Sequence, residues 1–148
     1  MFSLHMIHRP RHSSATGFTL VELLVVLVIL GLLAGLVGPR VLGQLGGAKS
    51  KTTAVQIKDL EQAAELFKLD VGRFPSNDEG LDALSSRPGS ASGWNGPYLK
   101  KGEVPKDPWG NRYHYESPGK RTDIDIFSLG ADNAIGGEGE NADIGNWQ

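Results

Sequence analysis

The chain has 148 residues and 15.9 kDa, enough for one ordinary domain. Fifteen Lys and Arg stand against seventeen Asp and Glu, so no global basic excess points to nucleic acid. The absence of Cys removes disulfides, thiolate metal sites and cysteine nucleophiles. Charge and polarity are unevenly spread. Residues 1–122 carry net +4, whereas Asp123 to Gln148 hold six acids and no base. A basic start, an apolar segment and an acidic, glycine-rich end need separate explanations.

Residues 1–17 contain Arg9 and Arg11 and no acid, the pattern of a leader that stays cytoplasmic while an apolar segment inserts. Phe18 to Gly38 follows, 21 residues of which 16 are apolar, with Glu22 as the one charge. As a helix this segment is about 31 Å long, enough to cross a bilayer core. Small residues in Leu32–Gly38 leave a secretory signal peptide open. Its length and the carboxylate argue against that reading. Glu22 has two readings, snorkelling at the interface or a specific partner. A cut between Gly17 and Phe18 would put a new α-amino group one helical turn from Glu22, and the two charges would need each other among apolar helices.

Pro39, Gly43, Gly46 and Gly47 weaken the stretch after the apolar block. A helical period nonetheless resumes. Leu45, Ala48, Thr52, Val55, Leu60, Ala63 or Ala64, Phe67 and Val71 recur at three- and four-residue steps, with Ile57 and Leu66 widening the stripe. Gly72 reads as the C-cap. One helix over about residues 18–71 is the economical expectation. Beyond it lie six of the eight prolines and a short helical turn around Leu81–Leu84. Two alternating stretches, Arg112–Glu116 and Asp123–Leu129, should pair as a hairpin across Ser117–Thr122. Trp94, Tyr98 and Trp109 could form a carbohydrate-stacking surface, but long loops more often need such residues as anchors.

The acidic end, Leu129 to Gly145, interleaves oxygen donors with glycines and holds no basic residue. Calcium takes six to eight oxygens on a chain that can curl. The spacing does not fit an EF-hand, so from composition a calcium loop and a solvated acidic loop stand about level. Catalysis has little to work with. Three of the four His lie in the leader, leaving His114 inside an expected strand, and no G-x-S-x-G or phosphate loop is present. A membrane-tethered hydrolase is the reading kept from the enzyme class.

Gly17-Phe18-Thr19-Leu20-Val21-Glu22 and the apolar run after it resemble the class III signal of type IV pilins and pseudopilins. Further stretches extend the resemblance to the major pseudopilin of the type II secretion system. They are Asp70–Pro75, Glu79–Leu81, Trp94–Leu99, Pro105–Asn111 and Ser128–Asp132. The lack of Cys fits this family better than the type IV pilus subunits, which usually close their C-terminal region with a disulfide.

The resemblance implies an α+β, type IV pilin-like fold, with a long N-terminal helix packed on a small antiparallel sheet with extended loops. It divides the chain into a cleaved leader (1–17), a transmembrane and assembly helix (18–44) and a periplasmic head (45–148). It implies cleavage after Gly17 by a prepilin peptidase, N-methylation of Phe18, and a role for Glu22 in assembly. Ca2+ would be bound by the Leu129 carbonyl, Asp132 and Asp143, with an Ala134 carbonyl and Asn141 as additions. The implied partners are membrane lipid before assembly, further copies in a helical homopolymer, minor pseudopilins, the inner-membrane assembly platform and the secretin. The implied setting is a single-pass inner-membrane protein that assembles into a periplasmic fibre and helps push folded proteins outward. A type IV pilus subunit, serving adhesion or motility, is the nearest alternative.

Overall fold

The computed structural model describes residues 17–148; the expected leader, apart from Gly17, lies outside the described residues. The chain divides into two compact units at Pro39–Arg40. Helix α1, Leu20–Val71, has Pro39 inside it, as the resumed period anticipated. Its start is fixed by a reciprocal cap. The Thr19 amide donates to Glu22 Oε2 at 2.9 Å, and the Glu22 amide donates to Thr19 Oγ1 at 3.2 Å. Two of the amides that a helix start leaves unpaired are thereby satisfied. Its end is fixed by Gly72, which takes φ +86° and donates its amide to the Lys68 carbonyl at 2.8 Å.

Within the first unit the helix has no buried face. Every Leu, Val and Ile from Leu20 to Val37 is half or more exposed. A surface of that kind needs lipid or other apolar helices around it.

In the second unit the helix buries one stripe: Gly46, Thr53, Ile57, Leu60, Ala63, Ala64 and Phe67. This corrects the early part of the expected stripe. Leu45, Ala48, Thr52, Val55 and Leu66 face outward, so the buried line is rotated by about one residue. The small Gly46 takes the inward position where the Glu140 side chain lies close: a Cβ there would sit 2.6 Å from Glu140 Cγ and would push that exposed side chain aside.

Onto this stripe pack Leu81, Ala83, Leu84, Ala91, Tyr113, Ile124, Ile126 and Ile144. A 3₁₀ turn at Leu81–Leu84 supplies the first three. The loops that follow are pinned by aromatic residues. The Trp94 indole N–H donates to the Ala83 carbonyl at 2.8 Å. The Tyr98 ring meets both Phe67 and Trp94 edge-on, and its hydroxyl donates to Asp70 Oδ2 at 2.8 Å. Anchoring, rather than a stacking platform, accounts for these two residues.

The sheet has strands β1 (His114–Glu116), β2 (Asp125–Ser128) and β3 (Ile144–Gly145), in that order and antiparallel throughout. Tyr115 faces Ile126 across the first pair, and Ser128 faces Ile144 across the second. The hairpin follows the expected pairing with shorter strands, whereas β3, at two residues, is too short to show alternation in sequence. The connection between β1 and β2 is organised by the buried Asp125 carboxylate. It accepts from the amides of Lys120 (2.8 Å), Thr122 (3.0 Å) and Arg121 (3.1 Å). Burial alone would push this carboxyl up; the converging amides outweigh it and hold the group below its ordinary value.

Arg73 and Glu79 tie the end of α1 to the loop that follows. The guanidinium grips the carboxylate at 2.7 and 2.8 Å, and the Ser76 amide and Ser90 hydroxyl donate to the same carboxylate at 2.8 and 2.6 Å. Arg73, then the hydrogen bonds from Ser90 and Ser76, hold Glu79 far below its ordinary 4.5, against the opposing effect of burial. The unfolded chain binds this proton more readily. The contribution is therefore fully present above about pH 4.5 and is lost as pH falls. Replacing Glu79 by Gln should lower the Tm of the processed chain in detergent by roughly 5 °C at pH 7. It should also flatten the fall in Tm between about pH 5 and pH 3. An unchanged acid profile, followed by circular dichroism, would contradict this role for the pair.

Candidate functional site

Two clusters of expected functional residues lie in separate units, and each has its own geometry. In the first, Gly17, Phe18 and Thr19 precede the helix. A Cβ on Gly17 would meet nothing within 4 Å, and Phe18 is 91% exposed. The bond between them is thus in a non-helical, accessible stretch, the form in which a peptidase can bind an extended backbone. Glu22 lies at the third helical position, where its carboxylate holds the Thr19 amide. This local role was missed from sequence, although Thr19-Leu20-Val21-Glu22 before an apolar run spells the signature of such a cap. The cap aims the Glu22 carboxylate back toward the chain end that cleavage would create.

The second cluster is the loop from Leu129 to Asp143, between β2 and β3. Its first and last legs cross at Gly130. There φ is +71°, and a Cβ would sit 2.6 Å from the Glu140 carbonyl oxygen and 3.0 Å from that of Ala142. Only a glycine admits that crossing. The Ala131 amide closes it by donating to the Glu140 carbonyl at 2.8 Å. A 3₁₀ turn, Gly139–Asn141, then carries the Glu140 side chain onto Gly46.

The two acids expected as ligands shape the loop from within. Asp132 Oδ1 accepts from the Ala134 amide at 3.2 Å, and Asp143 Oδ2 accepts from the Gly136 amide at 3.0 Å. The other oxygen of Asp143, Oδ1, is buried and has no hydrogen-bond partner. Ala134 and Asn141 are exposed, and Leu129 is half-buried. Among the described residues no three His, Cys, Asp or Glu gather into a metal cluster. A cation here would therefore depend on backbone carbonyls and Asn141 as well as the two carboxylates. That donor set is wholly oxygen, which suits a hard divalent ion. An orphaned carboxylate oxygen is costly to bury, and a cation would satisfy it. The residues fit calcium on these two grounds.

His114 is used otherwise than in an acid–base pair. Its ring stacks on Phe127 at 5.1 Å and 14°. Phe127 in turn meets Trp147 at 5.6 Å, and the Arg121 guanidinium lies 3.9 Å over the Trp147 ring. The stack covers one face of the sheet. Near it, Asp107 is buried under the start of the acidic loop and accepts from Trp109, Asn111 and Ser128. Nothing in the spacing of Pro105–Asn111 marked Asp107 as a support for a loop more than twenty residues away.

Residues 40–147 match the family described as type II secretion system (T2SS), protein G, and residues 12–38 match the prokaryotic N-terminal methylation motif. The chain is 49% identical over 135 residues to the type II secretion system core protein G of Vibrio cholerae, covering 89% of this chain and 91% of the relative. It is 46% identical over 136 residues to the protein of the same name from Pseudomonas aeruginosa, covering 89% and 94%. A crystal structure of the major pseudopilin of enterohaemorrhagic Escherichia coli superposes with a TM-score of 0.61 at 34% identity, covering 72% of this chain and 92% of that one. These relatives carry the secretion-system name rather than that of a pilus subunit. The chain, with its methylation motif, its uncovered apolar helix and its small three-stranded sheet, belongs to the type II secretion system protein G family, the major pseudopilins.

Proposed function

We propose that the chain acts mechanically, as the repeating subunit of a periplasmic fibre that helps push folded proteins through an outer-membrane pore. The observation that carries this reading is the helix surface from Leu20 to Val37, half or more exposed on every side. Before assembly, inner-membrane lipid covers it, with the basic leader in the cytoplasm and the head in the periplasm. After a prepilin peptidase cuts at Gly17 and methylates Phe18, neighbouring helices replace lipid as the cover. The second unit has exposed apolar residues of its own: Val41, Leu45, Val55, Leu66 and Leu69 are all at least half exposed. Contacts that repeat head to tail without closing a ring give a filament. Minor pseudopilins, the inner-membrane assembly platform and the secretin are the partners this role requires. No part of the role calls for catalysis by this chain.

Glu22 sets the register between neighbours. Its carboxylate is aimed at the chain start, and the Phe18 amine of the same or an adjacent subunit supplies the opposite charge. Replacing Glu22 by Ala should leave the protein in the membrane fraction while fibres fail to appear by electron microscopy. Normal fibres from that variant would remove Glu22 from assembly.

Calcium clasps the acidic loop. The Leu129 and Ala134 carbonyls, Asp132, Asn141 and Asp143 would hold it. The ion supplies positive charge that offsets repulsion between the carboxylates and joins the two legs of a loop with no apolar core. At a hundredfold excess over Kd, calcium should raise the Tm of the wild-type chain by about 10 °C relative to chelator. Asp132→Ala should lose this difference. Equal Tm values for the wild type with calcium and with chelator would overturn the clasp.

A further inference from the structure

We propose that Asp107 and Ser128 form a relay that aims the Leu129 carbonyl into the acidic loop, making both residues positioning groups for the ion. The inference rests on the calcium reading of that loop.

Asp107 is 4% exposed and Ser128 0%. Asp107 uses its two oxygens differently. Oδ1 accepts from the Trp109 amide at 3.1 Å and the Asn111 amide at 2.8 Å, which rigidifies the Pro105–Asn111 turn. Oδ2 accepts from the Ser128 hydroxyl at 2.7 Å. A carboxylate only accepts, so the single hydroxyl proton of Ser128 is committed to Asp107. The serine lone pairs then face the chain ahead, and Ser128 Oγ accepts from the Gly130 amide at 3.1 Å. The same turn holds Gly130 from its other side, because Asn111 Nδ2 donates to the Gly130 carbonyl at 3.3 Å.

The consequence follows from peptide geometry. The Gly130 N–H and the Leu129 C=O belong to one planar peptide unit, and in a trans unit they point in opposite directions. With the N–H drawn to Ser128, the Leu129 carbonyl is turned away from Ser128 and fixed. Consecutive hydrogen bonds polarise one another, so the carboxylate at the far end also makes that carbonyl a better oxygen donor. Partners behind a metal ligand characteristically act through orientation and basicity. Gly130 is also the position where the two legs of the loop cross, so a twist of this peptide would shift the crossing itself.

The test is calcium titration calorimetry on the full processed chain in detergent, with wild type, Ser128→Ala, Asp107→Asn and the double variant. Asparagine keeps an oxygen for the Trp109 and Asn111 amides but turns a donor toward Ser128, so the fold has an isosteric replacement. Each single variant should weaken calcium binding about 10-fold. The double variant should weaken it by about the same factor, since both changes cut one relay. The 13C resonance of the Leu129 carbonyl should move on calcium addition in the wild type and move less in Asp107→Asn. Single variants that bind within about twofold of wild type, or losses that multiply in the double variant, would overturn the relay. A wild type that binds no calcium would instead overturn the calcium reading beneath it, before any variant is compared.

Discussion

Everything in this molecule depends on one helix having to satisfy two surroundings. Over Leu20–Val37 it shows large apolar side chains on all sides, and over residues 46–67 it buries a single stripe under loops and a sheet. A stretch apolar all round is stable only where other apolar surface or lipid meets it. A one-sided stripe is stable against a domain of its own. The change from one regime to the other is written in residue size. The small Gly46 and Thr53 are buried on the inward face, whereas Leu45 and Val55 remain outside.

The head has little apolar material and relies on polar fastening. Asp125 gathers three amides to shape the hairpin connection, Glu79 gathers Arg73, Ser76 and Ser90, and Asp107 gathers two amides and Ser128. Each is a carboxylate surrounded by donors, which stabilises charge in a place where burial alone would raise its energy. The acidic loop is the exception. Asp143 keeps one buried oxygen without a donor. In a chain without disulfides, that unfinished carboxylate leaves the fastening of the acidic loop incomplete; among the described residues the Trp109 indole N–H is likewise buried without a partner.

Long-period features were legible in the sequence, and short or tertiary ones were not. The helix, its Gly72 end and the hairpin follow from spacing that persists over many residues. The family followed from motifs. The rotation of the buried stripe did not, because the covered face is decided by contacts distant in sequence, Glu140 beside Gly46 among them, 94 positions apart. Strand β3 did not, since two residues carry no period. The cap between Thr19 and Glu22 was legible in principle, since its three-residue spacing before an apolar run is a local signal. The role of Asp107 as a support depends on where the fold brings Ser128, 21 positions further on, and no local spacing encodes that.

The central claim is that the exposed apolar helix is a packing surface between copies of this chain. Electron cryomicroscopy of fibres assembled from the processed protein tests it most directly. The account predicts the Leu20–Val37 side chains in the fibre interior, in contact with the helices of neighbouring subunits, and the heads outside. A fibre whose subunits meet through their heads alone, leaving Leu20–Val37 uncovered or in detergent, would contradict it.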